Sequence, residues 1–138
     1  MIKMSDAAQG IMAERFGRDS VIALATDEQG MPHVRFVNAY YETGAFYIIT
    51  HAHSGKMRQI AANPRIAIAG DWFTGQGTAS DMGSFTSPQN SALAQKLRSA
   101  FAAWIDNGHN DFADPNTIIL KVELTQGTLL SHGTRYEF

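Results

Sequence analysis

The sequence predicts a mainly β fold with helices, of the α+β class: a small six-stranded antiparallel barrel with helices packed outside it. Strand-like runs outnumber helical ones, and they arrive as consecutive hairpins instead of alternating with helices, which disfavours a parallel doubly wound sheet. The 138 residues, 44% apolar and 17% charged, suffice for one hydrophobic core but not comfortably for two. One domain spanning residues 1–138 is expected, with no repeat, linker or low-complexity segment.

Ser5 and Asp6 are placed to cap a first helix whose Ala8, Ile11, Met12 and Phe16 follow helical spacing, and Gly17 is placed to end it. Ser20 to Thr26 is a β-branched and apolar run, Asp27 to Gly30 a turn, and Met31 to Tyr41 a second strand. Thr43-Gly44 turns the chain again into Ala45 to Thr50, a third strand able to pair antiparallel with the second. From Ser54 the spacing of Met57, Ile60 and Ala61 is helical, and Asn63-Pro64 stops it, because the residue before proline avoids the α region. Arg65 to Gly70 and Trp72 to Ser80 read as two further strands, the second interrupted by Gly75 and Gly77, which suit a bulge or a barrel corner. Ser87-Pro88 looks like a cap followed by proline at the first helical position. Leu93, Leu97, Phe101, Trp104 and Ile105 then predict the longest helix, running to Asn107-Gly108. After a polar stretch to Pro115, Thr117 to Leu130 makes the last strand, kinked near Gln126-Gly127.

The formal charge is −2 and the eleven Lys and Arg residues are scattered, so nucleic acid is not an expected partner. The absence of cysteine removes disulfides, thiolate metal sites and thiol nucleophiles together. Met1 to Gly10 lacks the apolar centre of a signal peptide, and no apolar run approaches the ~20 residues that span a bilayer, so a soluble, cytoplasmic protein without a membrane partner is expected.

The most informative stretch runs from Pro32 to Pro64. It places a cation, Arg35, on one strand, ends a nearby strand at Thr50, and opens a helix with Ser54, Gly55 and Lys56. A helix start with free N–H groups, a hydroxyl and an ammonium makes a phosphate receptor, and Arg35 adds a planar fork. A plainer reading also stands: Ser54 as a simple cap, with Lys56 and Arg35 as solvated cations. Lys56 speaks against it, since a cation in the first turn opposes the helix dipole unless an anion is present.

The order of these features resembles the pyridoxamine-phosphate-oxidase-like, FMN-binding split barrels, and most closely their short, general-stress-protein-like members. The residues that carry the resemblance are Pro32 and Arg35, Phe46 to Thr50, Ser54 and Lys56, Ile60, Asn63-Pro64 and Ile66 to Ala69. It covers Val21 to Ala79 well and the last strand loosely. The resemblance implies a flavoprotein with a six-stranded split barrel in which Arg35 and Lys56 bind the FMN phosphate, assisted by Ser54 and the Gly55 backbone. It further implies that Phe36, Val37 and Asn38 line the ribityl and ring side, that Ile49 and Thr50 offer backbone groups to the isoalloxazine edge, and that Trp72 touches the flavin. It implies a homodimer with the flavin between subunits, and an FMN-dependent oxidoreductase of unknown substrate. A non-catalytic flavin-binding module, or a split barrel holding haem or a deazaflavin, are the alternatives. The family's C-terminal Trp and Arg elements, which hold pyridoxamine phosphate, have no counterpart in these residues, and this departure points away from oxidation of that substrate.

The sequence singles out no catalytic side chain, and no metal site is expected. Gly75 to Ser80 superficially suggests a dinucleotide loop, but no helix opens on it. His51 and His53 lack a third ligand of matching context and read as loop polarity. Phe101 and Trp104 are expected in the core, and His109 and Asp111 fit turn chemistry.

Overall fold

A computed structural model of the chain describes residues 2–138; Met1, the first residue of the expected domain, lies outside them. Among the described residues there are seven strands: β1 (Ser20–Glu28), β2 (Met31–Glu42), β3 (Ala45–His51), β4 (Arg65–Gly70), β5 (Phe73–Ser84), β6 (Thr117–Ser131) and β7 (Thr134–Glu137). Their order is β3-β2-β1-β4-β5-β6-β7, every pairing is antiparallel, and β3 also pairs with β6, which closes the first six into a barrel. The expected six-stranded barrel is therefore present, with β7 added to it.

Period-two patterning builds the walls. On β1, Ile22, Leu24 and Thr26 face inward, and on β4 Ile66 and Ile68 do, while Val21, Ala67 and Ala69 face out. β6 departs from alternation over Thr117 to Leu120, four consecutive buried residues. Both faces are covered there: Ile118 and Leu120 point into the barrel, and Ile119 packs with Phe85, Leu97 and Phe101 in a second apolar cluster. At the expected kink, Gln76 pairs with Gln126 but Gly77 pairs with Leu124, leaving Thr125 as the extra residue of a bulge. A Cβ at Gly77 would collide with the Glu123 carbonyl oxygen, so the close approach of β5 and β6 requires glycine there.

Helix α1 (Asp6–Phe16) starts with the Ser5 hydroxyl accepting from the Ala8 N–H at 3.1 Å, and buries Ala8, Met12 and Phe16 against the barrel. Helix α2 (Gly55–Ala62) adds Met57 and Ile60 to the same core. The third helix corrects the sequence reading. Ser87 makes no side-chain cap, Pro88–Asn90 form a 3₁₀ turn, and α3 spans only Ser91–Ala100, so α1 is the longest helix. Phe101 and Ile105 are buried as expected, and Trp104 packs beside them, but the backbone has passed into turns in which Trp104 bonds to Phe101 and Asn107 to Trp104. Tertiary contacts override helical continuation: the Phe101 and Trp104 rings lie 4.7 Å apart, and the indole N–H donates to Asp19 at 2.9 Å.

Candidate functional site

The site lies where the barrel wall opens. β2 and β3 pair only from Tyr40–Tyr47 to Glu42–Ala45, at the hairpin end, so β2 up to Ala39 and β3 beyond Tyr47 have no ladder partner on their facing sides. β2 stays bonded to β1 through Met31, and β3 to β6 through His51. The two strands diverge like the arms of a V. Arg35 sits on one arm, Thr50 on the other, and α2 begins just beyond.

Arg35 is half-buried and its fork is held on three sides. Nη1 donates to the Leu24 carbonyl at 3.1 Å and to the Thr26 hydroxyl at 2.8 Å, and Nη2 donates to Gln59 Oε1 at 2.9 Å. Lys56 comes from the first turn of α2, and its ammonium donates to the buried Thr50 hydroxyl at 2.6 Å. Every one of these acceptors is uncharged, and among the described residues no carboxylate lies within 4.0 Å of either cation. Burial and then the nearby Arg35 charge hold the Lys56 ammonium below the usual lysine range, and burial lowers Arg35 as well. Two partly desolvated like charges without a counter-ion are costly to keep together, and an anion between them relieves both terms.

The donor set fits a phosphate ester: a guanidinium fork, an ammonium, and the first-turn N–H groups of Gly55 and Lys56, which have no intrahelical acceptor. Ser54 caps α2 by accepting from the Met57 N–H at 3.4 Å, leaving its own O–H free to donate. Thr50 and the unpaired edge of β3 face the same opening, while the Ile49 side chain packs on the α3 side.

Other residues singled out in the sequence take different surroundings. Phe36 is 80% exposed on the opposite face of β2 from Arg35, Val37 packs against the barrel core, and Asn38 donates to Asp19 at 3.0 Å. Trp72 occupies the β4–β5 turn at φ 52° and is 68% exposed. It follows Ile68, which is level with Leu24, by four residues, roughly 13 Å along the strand and toward the other end of the barrel. His51 Nδ1 accepts from the His53 N–H, so its Nε2 carries the proton and donates to Asp114 at 2.9 Å, which engages both ring nitrogens. Thr26, Glu28 and Gln59 were not singled out in the sequence. Gln59 had a signal, since it lies three residues after Lys56 and so on the same helical face.

A family model described as pyridoxamine 5'-phosphate oxidase matches residues 11–131. The chain belongs to this family. Within the pyridoxamine 5'-phosphate oxidase family, the pyridoxine/pyridoxamine 5'-phosphate oxidase of Nitrobacter hamburgensis is 33% identical over 66 residues, 47% of this chain and 31% of that protein. The matched part thus spans about a third of that relative's length. General Stress Protein 26 from Bacillus anthracis superposes with a TM-score of 0.64 at 19% identity, covering 86% of this chain and 90% of that one. An FAD-binding protein from Mesorhizobium loti gives 0.69 at 14% identity, with coverage of 98% and 96%. These likenesses place the barrel among the family's folds. Among the described residues no helix is long and apolar enough to cross a membrane.

Proposed function

We propose that the chain binds FMN, with the phosphate held between Arg35 and Lys56, and acts as an FMN-dependent oxidoreductase. The observation that carries this reading is the pair of partly buried cations with only neutral partners. FMN, when bound, supplies the electron-transfer chemistry. The chain's own residues bind and orient: Arg35 and Lys56 fix the phosphate end, and the unpaired backbone of β3 near Ile49 and Thr50 offers polar groups to the ring edge. A yellow protein with paired flavin bands, or an apoprotein that acquires them on titration with FMN, is the expected result. A Soret band or no binding would count against the cofactor. Reduction of the bound flavin by NADH or NADPH, followed by reoxidation by a quinone or dye, tests the enzymatic half of the reading.

Lys56→Ala removes one charged hydrogen bond to the phosphate, worth about 1.5–3 kcal/mol, so FMN affinity is expected to fall roughly ten- to hundredfold. Unchanged affinity in that variant would remove the basis for the assignment.

The reading also predicts a pH dependence. Binding needs Lys56 charged, and in the free protein its pKa lies below the ordinary 10.5. Affinity is therefore expected to fall as pH rises through that lowered value, and to fall again on the acid side as the phosphate passes its second pKa of about 6. The same lowering makes the ligand-free fold gain stability as pH rises from the lowered value toward 10.5, where the unfolded chain holds the proton that the fold has released. In Lys56→Met the alkaline decline in FMN affinity should vanish while the acid one stays.

The outer face of β1, β2 and β4 supports a homodimer. Val21, Val34 and Phe36 are 61%, 70% and 80% exposed there, beside Ala67 and Ala69, and a groove of about 670 Å³ runs along it. Apolar surface of this kind calls for a partner, and a second copy is the one proposed; a monomeric mass in light scattering would count against it.

A further inference from the structure

We propose that Gln59 is the positioning residue of Arg35, and that it sets the preference of the site for phosphorylated over unphosphorylated flavin. This rests on the phosphate reading given above.

Gln59 is only 6% exposed, on the face of α2 that also carries Lys56. Its Oε1 accepts from Arg35 Nη2 at 2.9 Å and from the Thr26 hydroxyl, and its Nε2 donates to Glu28 Oε2 at 3.3 Å. Chemistry fixes the orientation of this amide. A guanidinium only donates and a carboxylate only accepts, so the oxygen must face Arg35 and the nitrogen must face Glu28. Gln59 is thus a neutral bridge between a cation and an anion. A glutamate here would form an ion pair with Arg35 and cancel the charge that the phosphate needs; an apolar residue would let the fork swing. The amide holds the fork still and leaves its charge unspent. It also keeps Glu28, whose carboxylate pairs with the exposed Arg58 at 3.0 Å, one side chain away from the anion site.

The remaining polar neighbours agree with this role. Thr26 closes a three-membered set in which Oε1 and the hydroxyl both bear on Arg35, so two of the fork's contacts depend on one amide. No buried side-chain nitrogen or oxygen among the described residues lacks a partner, so removing the Gln59 amide breaks bonds that are all made in the intact network.

The test compares FMN with riboflavin, which lacks the phosphate, in titrations of the full chain. Gln59→Met is expected to lower FMN affinity about tenfold, and Gln59→Glu, close to isosteric but charged, by more than that, while riboflavin affinity stays unchanged in both. In an Arg35→Met background, Gln59→Met should change the FMN-to-riboflavin ratio no further, because the group it positions is gone. Equal losses for the two flavins, an unchanged ratio in both single variants, or full additivity with Arg35→Met would each overturn the proposal. Should Gln59→Met fail to fold, Gln59→Glu keeps the shape and the oxygen that accepts from Arg35 and Thr26, exchanges only the donor toward Glu28 for a second acceptor, and still decides the matter. A wild-type protein that binds riboflavin as tightly as FMN would overturn the phosphate reading itself, and this inference with it, before any variant is made.

Discussion

Arg35→Met is expected to weaken FMN binding by roughly thirtyfold to several thousandfold, equivalent to about 2–5 kcal/mol, and so to exceed the effect of any other single change at the site. Arg35 presents a planar fork in place of a point charge. Two of its acceptors, Thr26 and Gln59, hold it from behind, so its conformational entropy is already lost before the ligand arrives. Methionine keeps much of the length and removes the charge. The substitution also takes the like charge away from Lys56, whose pKa should move up toward the ordinary lysine value. Isothermal titration with FMN measures the first effect, and NMR titration of the lysine side chain in the ligand-free protein measures the second. Retained wild-type affinity would mean that the guanidinium serves the barrel and not a ligand.

Phe46→Ala is expected to cost about 3–5 kcal/mol of stability, with a fall in Tm on the order of 10 °C. Phe46 is fully buried at the centre of an aromatic cluster, 5.3 Å from Tyr41, 5.6 Å from Phe16 and 6.1 Å from Phe73. These rings come from β2, α1 and β5, so the cavity would open at the junction of three elements that cannot all collapse into it. Urea unfolding should show a lower midpoint with little change in slope. A loss under 1 kcal/mol would mean that the core rearranges far more freely than its packing implies.

Much of the fold was legible because hairpin turns and period-two patterning are local. The same reasoning had a clear miss in β7. His132-Gly133 turns the chain with both residues at positive φ, as Gln29-Gly30 and Thr43-Gly44 do, and the short Thr134–Glu137 strand behind it carries too few apolar residues for periodicity to register. The opposite error occurred after Ala100, where helical spacing of apolar residues continued but the backbone did not follow. Spacing reports which side chains are buried, and a pair of turns can bury the same ones once an indole is tied to Asp19 across the fold.

At the site, Arg35 and Lys56 were readable as charge types at meaningful positions, and the structure brings them together. Glu28 and Thr26 were not readable, since their role depends on β1 lying alongside β2 and against α2. Trp72 was readable only as a residue near a strand, and the structure sets it in the exposed turn between β4 and β5.

The divergence of β2 from β3 has a consequence for how a ligand is taken up. Both walls of the opening are strands anchored along their other edges, and the rear is a helix packed into the core, so the receptor is already shaped before it is filled. Association then immobilises little of the polypeptide, and most of the entropic penalty falls on the incoming molecule.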